Sequence, residues 1–300
     1  MSGESLARVV RREWDFLIGG LAMLANATAI GSSTASSQHP KNHIYLVGCG
    51  YLYTSPCTVT GATTGFAATS ILSLRGEPFV AIVEGSSNYY QAITTKPMVE
   101  RTLHAENVPT IHVGISPNHR SYRRFRAIAR PGCLAIERSA YQEQNAALEE
   151  AYHGQLSVED ATRLFEAIVS VSVSFLPNAR RADSRIEHAL EMLQENPSYP
   201  LKDLACAVGL SYDRMSYLFA ETIGLPLRSY LLWQKLHKVA SLLGCGKTLT
   251  EIALAAGFTD SAHLSNTYQK TYGITPSYFL KSDCVEIHSL CLQATVSAVA

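Results

Sequence analysis

Two copies of one short pattern, 48 residues apart, constrain this chain more than any other feature of it. The first reads Leu204-Ala205-Cys206-Ala207-Val208-Gly209-Leu210-Ser211, and the second Ile252-Ala253-Leu254-Ala255-Ala256-Gly257-Phe258-Thr259. Each places an apolar residue before an alanine, a glycine four residues after it, then an apolar residue and a hydroxyl. The small alanine lets two helices cross closely. The glycine takes the left-handed turn conformation without a Cβ penalty, and the hydroxyl is placed to cap the next helix. This is the arithmetic of a helix-turn-helix, and its repetition points to DNA.

The flanks agree. Pro200 precedes Leu201, Thr248-x-x-Glu251 is a capping box opening the second copy, and Pro226 and Pro276 sit where a first helical turn accepts proline. Between the copies, Pro226–Leu243 is apolar on one face and predicts a single connecting helix, which would fix the distance between the two motifs. One spacing differs. From the glycine to the first apolar residue of the following helix is six residues in the first copy (Gly209 to Met215) and seven in the second (Gly257 to Leu264). The second copy is therefore expected to enter its groove differently.

Length suggests about two domains. A 47% hydrophobic and 17% charged composition fits a soluble globular chain with room for real cores. Formal net charge is zero, so bulk charge gives no hint of nucleic acid. Seven scattered cysteines form no CxxC pair and no Cys/His metal spacing, which reads as reduced thiols in a cytoplasmic protein. Arg11-Arg12 ahead of the apolar stretch Phe16–Ile30 resembles an export signal, but Glu13, Asp15, Asn26 and Thr28 interrupt it. It is also shorter than the about 20 apolar residues a membrane span needs, so no membrane association is expected.

The expected architecture is α+β. Residues 1–177 read as a regulatory or dimerisation domain, with helical patterning near Leu6–Leu17 and a Ser/Thr-rich loop from Gly31 to Asn42. It is β-rich to about 116, with runs such as Ile44–Val47, Ser70–Leu74, Phe79–Val83 and Thr110–Ile115. Breaks fall at Arg75–Pro78, Glu84–Asn88 and Lys96-Pro97. Helices follow over about Arg120–Ala129, Ile136–Tyr152 and Ser157–Phe175, the last opened by Ser157-x-x-Asp160. Residues 178–183 read as a linker carrying Arg180-Arg181, 184–283 as an all-helical domain, and 284–300 as a tail to which no role is assigned.

Residues 184–281 resemble the C-terminal domain of the AraC/XylS family of transcriptional regulators. The resemblance rests on Leu204-Ala205-x-x-x-Gly209-Leu210-Ser211, Leu218-Phe219, Gly224-x-Pro226-Leu227-Arg228-x-Tyr230 and Lys235-Leu236. In the second half it rests on Ile252-Ala253-x-x-x-Gly257-Phe258-x-Asp260-x-x-His263-Leu264-Ser265 and Tyr272-Gly273-Ile274-Thr275-Pro276-Ser277-x-Phe279. It covers about a third of the chain. It implies seven helices with two helix-turn-helix motifs joined by a long helix, and two recognition helices placed in successive major-groove segments of double-stranded DNA. It further implies a cytoplasmic regulator, an activator in the leading reading, with RNA polymerase as a partner and no catalysis.

In the first recognition helix, from Tyr212 to about Glu221, Met215, Leu218 and Phe219 face the core, leaving Asp213, Arg214, Ser216 and Tyr217 for the groove. The family's contact positions fall at Asp213, Ser216 and Tyr217. Arg214 suits phosphate or a guanine edge, whereas Asp213 would repel phosphate and suits cytosine or a helix cap. In the second, from about Ser261, Leu264 and Tyr268 are core; Ser261, Ala262, His263, Ser265, Asn266, Gln269 and Lys270 face outward. Asn266 suits an adenine edge; many relatives carry arginine there, so a guanine contact is not expected. For His263 the alternative is packing on the turn. Helix N-termini near Pro226 and Thr275-Pro276, with Arg228, Lys235, Lys238 and Lys247, would hold the backbone. Residues 183–283 nevertheless hold nine Lys/Arg and ten Asp/Glu, a formal charge of −1. Weak nonspecific affinity and a modest salt dependence follow.

Family members usually carry a cupin-like β-barrel at the N-terminus for effector binding or dimerisation, and residues 51–117 look like a degenerate version. The segment Thr58–Gly65, where the family's metal-binding histidines usually stand, has none, and His104 and His112 are isolated. No metal and no cofactor are expected. A barrel without metal can hold an apolar effector. Tyr51, Tyr53, Phe66, Phe79 and Tyr89 are candidates for that pocket, with ordinary core packing as the alternative for most of them. Arg120, Arg123, Arg124, Arg126 and Arg130 form a basic run, read as an anion site or, preferably, a solvated face. The helices within 136–175 offer Leu148, Leu156, Leu164, Phe165, Ile168 and Val171 for a homodimer. A second reading is a regulator without a small-molecule effector, controlled by a protein partner or its own level. A remote third, a DNA-repair alkyl-transfer protein, needs a cysteine cluster near the N-terminus that this sequence lacks.

Overall fold

The computed structural model describes residues 41–178, 183–243, 246–272, 276–277 and 285–288. The expected helix at Leu6–Leu17, the Arg11-Arg12 segment, most of the Gly31–Asn42 loop, Arg180-Arg181 and the tail beyond His288 lie outside the described residues.

The N-terminal unit is a cupin-like double sheet. Its strands are β1 (Asn42–Val47), β2 (Gly50–Ser55), β3 (Thr58–Val59), β4 (Ala68–Ser73), β5 (Phe79–Val83) and β6 (Ser86–Tyr90), then β7 (Ala92–Thr95), β8 (Arg101–Ala105), β9 (Thr110–Ile115) and β10 (Cys133–Ala135). A seven-stranded sheet runs β10-β7-β4-β9-β2-β1-β11, and a four-stranded sheet β3-β8-β5-β6. Strand β11 (Val285–His288) belongs to the tail. It pairs parallel with β1, Asn42 opposite Val285 and Tyr45 opposite His288.

Alternation along the strands sorts residues to two faces. On β4 and β9, Ala68, Leu72, Ile111, Val113 and Ile115 join one core under the long helix Val158–Ser174, while Ile71 on β4 and Ile93 on β7 pack against Phe79, Ala81, Val83 and Leu103 of the small sheet. Both central strands are buried on both faces, which is why they read as continuous apolar runs. The break expected at Glu84–Asn88 is shorter than that. Glu84 and Gly85 alone turn the chain, both at positive φ (48° and 78°), as a tight two-residue hairpin requires, and Ser86–Asn88 already belong to β6.

The helices of this unit are α1 (Tyr122–Phe125), a 3-10 stretch at Arg138–Gln144, α2 (Asn145–Tyr152) and α3 (Val158–Ser174). Ser157 caps α3 by accepting from the Asp160 amide at 3.0 Å. The expected helix over Arg120–Ala129 shrinks to α1, and Ile136–Tyr152 divides at Tyr141. The residues named for a homodimer are spent inside the protomer: Leu148, Leu156, Leu164, Phe165 and Ile168 are buried in the core with the sheet, and Val171 packs against it. A helix stripe records that a face is covered but not by what.

The C-terminal unit comprises α4 (Ser184–Glu195), α5 (Leu201–Ala207), α6 (Tyr212–Ile223), α7 (Leu227–Leu242), α8 (Leu249–Ala255) and α9 (Ser261–Tyr272), six helices among the described residues. It is docked on the N-terminal unit. Ile44 and Tyr53 share an apolar cluster with Leu236, Val239, Ile252 and Phe258, and Phe125 and Ile128 share another with Leu204, Phe219 and Trp233. Two arginines of the basic run take part in this docking: Arg120, Arg126 and Arg130 are exposed, as a solvated face requires, while Arg123 and Arg124 are half-buried. Arg123 pairs with Glu187 of α4 at 3.2 Å, Arg124 donates to the Leu176 carbonyl at 2.6 Å, and the Arg126 side chain lies over Gly224 at the end of α6. Arg120 pairs with Glu166 at 3.6 Å.

Candidate nucleic-acid interface

Each helix-turn-helix copy is built by the same backbone hydrogen bonds. Ala205 and Ala253 are both buried, and the amide directly after the glycine reaches back to the alanine carbonyl: Leu210 to Ala205 and Phe258 to Ala253, both at 2.9 Å. That bond is the closure of a glycine-terminated helix. It places the glycine in the left-handed region, φ +67° at Gly209 and +79° at Gly257.

After the glycine the copies diverge. In the first, Ser211 caps α6 by accepting from the Arg214 amide at 3.3 Å. In the second, the hydroxyl at the matching position, Thr259, is not the cap. Asp260 accepts from the His263 amide at 2.7 Å, and Thr259 donates to Asp260 at 3.1 Å. This corrects the expectation that both hydroxyls cap. The extra residue in the second turn moves the cap one place along, and the helix starts later relative to the glycine. The capping box of α8 forms as expected, with Thr248 and Glu251 satisfying each other's amides. Hydrogen bonds from Thr248 hold the Glu251 carboxyl below its ordinary range.

The copies are carried on α7, whose 16 residues make a rod of about 24 Å at 1.5 Å per residue. It begins at Leu227, directly after Pro226 as its N-cap. The N-terminus expected at Thr275-Pro276 cannot be described, because Gly273–Thr275 lie outside the described residues.

The predicted contact residues fall as follows. On α6, Asp213, Arg214 and Tyr217 are exposed and Ser216 half-buried, while Met215, Leu218 and Phe219 are core. The Arg214 guanidinium stands 5.5 Å from the centre of the Tyr217 ring, and that ring is 60% exposed, so the pair forms one outward-facing surface. On α9, Ala262, His263, Asn266 and Gln269 are exposed, Ser261 and Ser265 half-buried, and Leu264 and Tyr268 core. The side chain of Lys270 lies outside the described residues. His263 is engaged locally, edge-on to Phe258 at 5.4 Å and 3.0 Å from the Thr259 hydroxyl, in line with packing on the turn. Arg228, Lys238 and Lys247 are exposed. Lys235 is exposed and engaged locally: its ammonium donates to the Gly257 carbonyl at 2.8 Å and stands over the Phe258 ring.

Of the five residues named for an effector pocket, Tyr51, Tyr53 and Phe66 share one apolar cluster, while Phe79 and Tyr89 lie elsewhere. Tyr89 is 77% exposed on β6, because that strand lies at the edge of the small sheet, and Phe79 is core between the sheets. Tyr51 lies against Gly114, Tyr53 against His112 at 5.5 Å, and Phe66 is half-buried between two cores. What sequence reasoning missed is a polar interior. Arg101 is buried, and its Nη2 donates to the Thr69 hydroxyl at 3.0 Å. Its Nε and Nη1 have no partner among the described residues. Beside it, Thr58, Thr110 and the His112 Nε2 form a chain of 2.9–3.4 Å contacts, and burial, aided by Arg101, pushes His112 down to about 3. Nothing local to Arg101 in the sequence marks it as interior, apart from its place in an alternating strand.

Two capped helices of equal length, each crossing a close-packed partner at a glycine turn, define a helix-turn-helix DNA-binding domain. Residues 204–282 match the family described as "Helix-turn-helix domain". Over 127 residues the chain is 28% identical to the virulence regulon transcriptional activator VirF of Yersinia enterocolitica and, equally, to the thermoregulatory protein LcrF of Yersinia pestis. That stretch is 41% of this chain, and the chain spans about half (46%) of the length of these curated relatives. Among solved structures, unsaturated fatty acid-bound ToxT from Vibrio cholerae aligns with 82% of this chain and 97% of its own, at 11% identity and a TM-score of 0.49. An AraC-type regulator from Chromobacterium violaceum aligns with 32% of this chain and 88% of its own, at 28% identity and a TM-score of 0.30. The helix-turn-helix domain at residues 204–282 is of the AraC type.

Proposed function

We propose that this chain is a sequence-specific transcriptional regulator, acting as an activator, that lays α6 and α9 in two successive major-groove segments of double-stranded DNA. The observation that carries the reading is the pair of capped recognition helices held on one uninterrupted helix. Major-groove faces recur about every 34–36 Å along one side of the duplex. A rod of about 24 Å plus its flanking turns matches that spacing. The activating sense follows the Yersinia relatives, which are named as activators or regulators. Asp213, Arg214, Ser216 and Tyr217 would serve one groove segment, and Ser261, Ala262, Ser265, Asn266 and Gln269 the next, with Arg228 on phosphate. The formal charge of −1 over 183–283 leaves little bulk attraction, so tight binding would draw on RNA polymerase or a second copy of the chain. Footprinting of the purified chain on genomic fragments tests this. Paired protected segments one helical turn apart are expected; a single protected segment at every site sinks the two-reader arrangement.

Control by a small molecule is favoured over control by a protein partner alone by Arg101. A buried guanidinium without a carboxylate is unfavourable, and an anionic group entering the barrel would meet its two unpartnered nitrogens. Melting the chain against a panel of carboxylates should show a shift that Arg101→Met, a replacement of similar bulk, removes without unfolding the protein. No shift across the panel in the unmodified chain would return the reading to partner or abundance control.

A further inference from the structure

Two histidines and a glutamate from opposite ends of the chain meet on the outer edge of the large sheet. His43 on β1 lies 3.2 Å from His288 on β11, Nδ1 to Nε2, and the Glu286 carboxylate is 3.8 Å from the same His43 nitrogen. One ligating atom from each of the three falls within 4.8 Å of the others. The pairing register produces this. His43 stands opposite Glu286 and Tyr45 opposite His288, so all four side chains share one face of the β1–β11 pair, against the end of α2. The His288 ring is stacked on Tyr45 with centroids 4.3 Å apart and planes 12° from parallel, which fixes where its nitrogen points.

We propose that His43, Glu286 and His288 form a zinc site that fastens the C-terminal strand to the N-terminal sheet. Zinc–nitrogen bonds of about 2.0–2.1 Å at a tetrahedral angle put two ligand nitrogens about 3.3 Å apart. The two imidazoles already stand at that separation. The Glu286 side chain is 51% exposed, so a small rotation closes its 3.8 Å separation from the His43 nitrogen to the about 3.3 Å that two ligands of one tetrahedral ion keep, without moving the strand. Two imidazoles and one carboxylate with solvent on one side are a donor set that zinc takes with water as the fourth ligand. His43 is buried and Glu286 and His288 are on the accessible side, so the ion has a path in. This set is distinct from the metal position of a cupin barrel, which the sequence lacks histidines to fill. It is closed only when the chain beyond the second helix-turn-helix copy returns to β1, so the ion would join the two ends of the protein.

The full chain, stripped with a chelator and dialysed against low-micromolar zinc, should retain one zinc per chain and melt at a higher temperature than the stripped form. Hydrogen exchange at residues 285–288 should slow on zinc addition. Cobalt substituted for zinc should give the intense visible absorption of a tetrahedral ion. His288→Ala and Glu286→Gln, both on the accessible side, should weaken zinc at least tenfold and abolish the exchange protection. His104→Ala, far from the cluster, should change neither. A wild-type chain that holds no stoichiometric zinc overturns the proposal, and so does zinc held as tightly by both His288→Ala and Glu286→Gln as by wild type. Because exchange at 285–288 is read strand by strand, a general loss of fold in one variant is distinguished from loss of the site.

Discussion

In the first helix-turn-helix copy the residue two places after the glycine caps the recognition helix; in the second it is the residue three places after. The skeleton up to the glycine is otherwise the same, bond for bond. The copies are also braced differently. The first turn has open space around Gly209, and its recognition helix is held at the far end, where Arg126 of the N-terminal unit covers Gly224. The second turn is held at the turn itself by Lys235. The faces offered differ too: a charged and aromatic one at Asp213, Arg214 and Tyr217, and, among the described side chains, an uncharged polar one at Asn266 and Gln269. On the proposed function, one inserted residue and one lysine would convert a repeat into two readers with separate chemistries. In the first, Arg214 would supply electrostatic attraction and Tyr217 stacking, against the repulsion of phosphate by Asp213; the second would hydrogen-bond base edges.

The shared skeleton can be broken most severely at its crossing alanines. Ala205→Leu and Ala253→Leu each force a larger side chain between helices in closest contact, and overpacking of this kind destabilises by about 1–3 kcal/mol. Both should fall at the upper end in urea unfolding and both should lose specific DNA binding. Retention of stability by either variant would show that its copy crosses less closely than the other.

The difference in faces is sharpened by Arg214→Ala and Asn266→Ala. Each should weaken specific binding by ~1–3 kcal/mol if it meets a base. They should separate in salt. Loss of Arg214, where it meets phosphate, lowers the salt slope by about one, while loss of Asn266 leaves the slope unchanged and relaxes specificity at one position. Binding titrations over a range of salt decide it. Equal slopes for wild type and both variants would remove the electrostatic role assigned to the first helix.

Much of this was legible in the sequence because it is local chemistry. The glycine at positive φ, the capping box at Thr248 and Glu251, and the six-against-seven spacing each involve residues within one or two turns, and the spacing reappears as the displaced cap. What was illegible depends on partners far along the chain. Arg123 and Arg124 of the basic run looked solvated because Glu187 and the Leu176 carbonyl lie some 50 residues or more away. The tail had no pattern of its own because β11 is four residues long and draws its bonding from β1. Arg101 and Tyr89 both sit on short strands of the small sheet. Only closure of the barrel puts one inside and the other outside.

The glycines test the bracing. Placing a side chain at positive φ costs roughly 1–2 kcal/mol, so Gly209→Ala and Gly257→Ala should each destabilise by about that amount. Gly224→Ala should exceed both, because its new Cβ would also collide with Arg126. Lys235→Met removes a hydrogen bond only the second turn possesses, and its effect should be ~1 kcal/mol or less. Thermal melts of the four variants give the order directly. A Gly224→Ala effect no larger than that of Gly209→Ala would mean that Arg126 does not brace the first copy.

The two caps are separated by pH. Ser211→Ala should cost about 0.5–2 kcal/mol at any pH, since a hydroxyl cap does not titrate. Asp260 is a carboxylate cap. The His263 amide and then the Thr259 hydroxyl hold its pKa below the usual carboxylate value. A group whose pKa is lower folded than unfolded leaves the unfolded chain binding more protons in the interval between the two values, so stability rises with pH there. The extra stability from Asp260 is therefore complete above the ordinary aspartate value of about 3.9 and is lost as pH falls through the lower folded value. Asp260→Asn keeps a capping oxygen without a titrating group. The stability difference between wild type and Asp260→Asn should thus be constant at neutral pH and close in acid, while the difference for Ser211→Ala stays flat. A wild-type advantage over Asp260→Asn that persists into strong acid would mean the second cap works through geometry alone, as the first does.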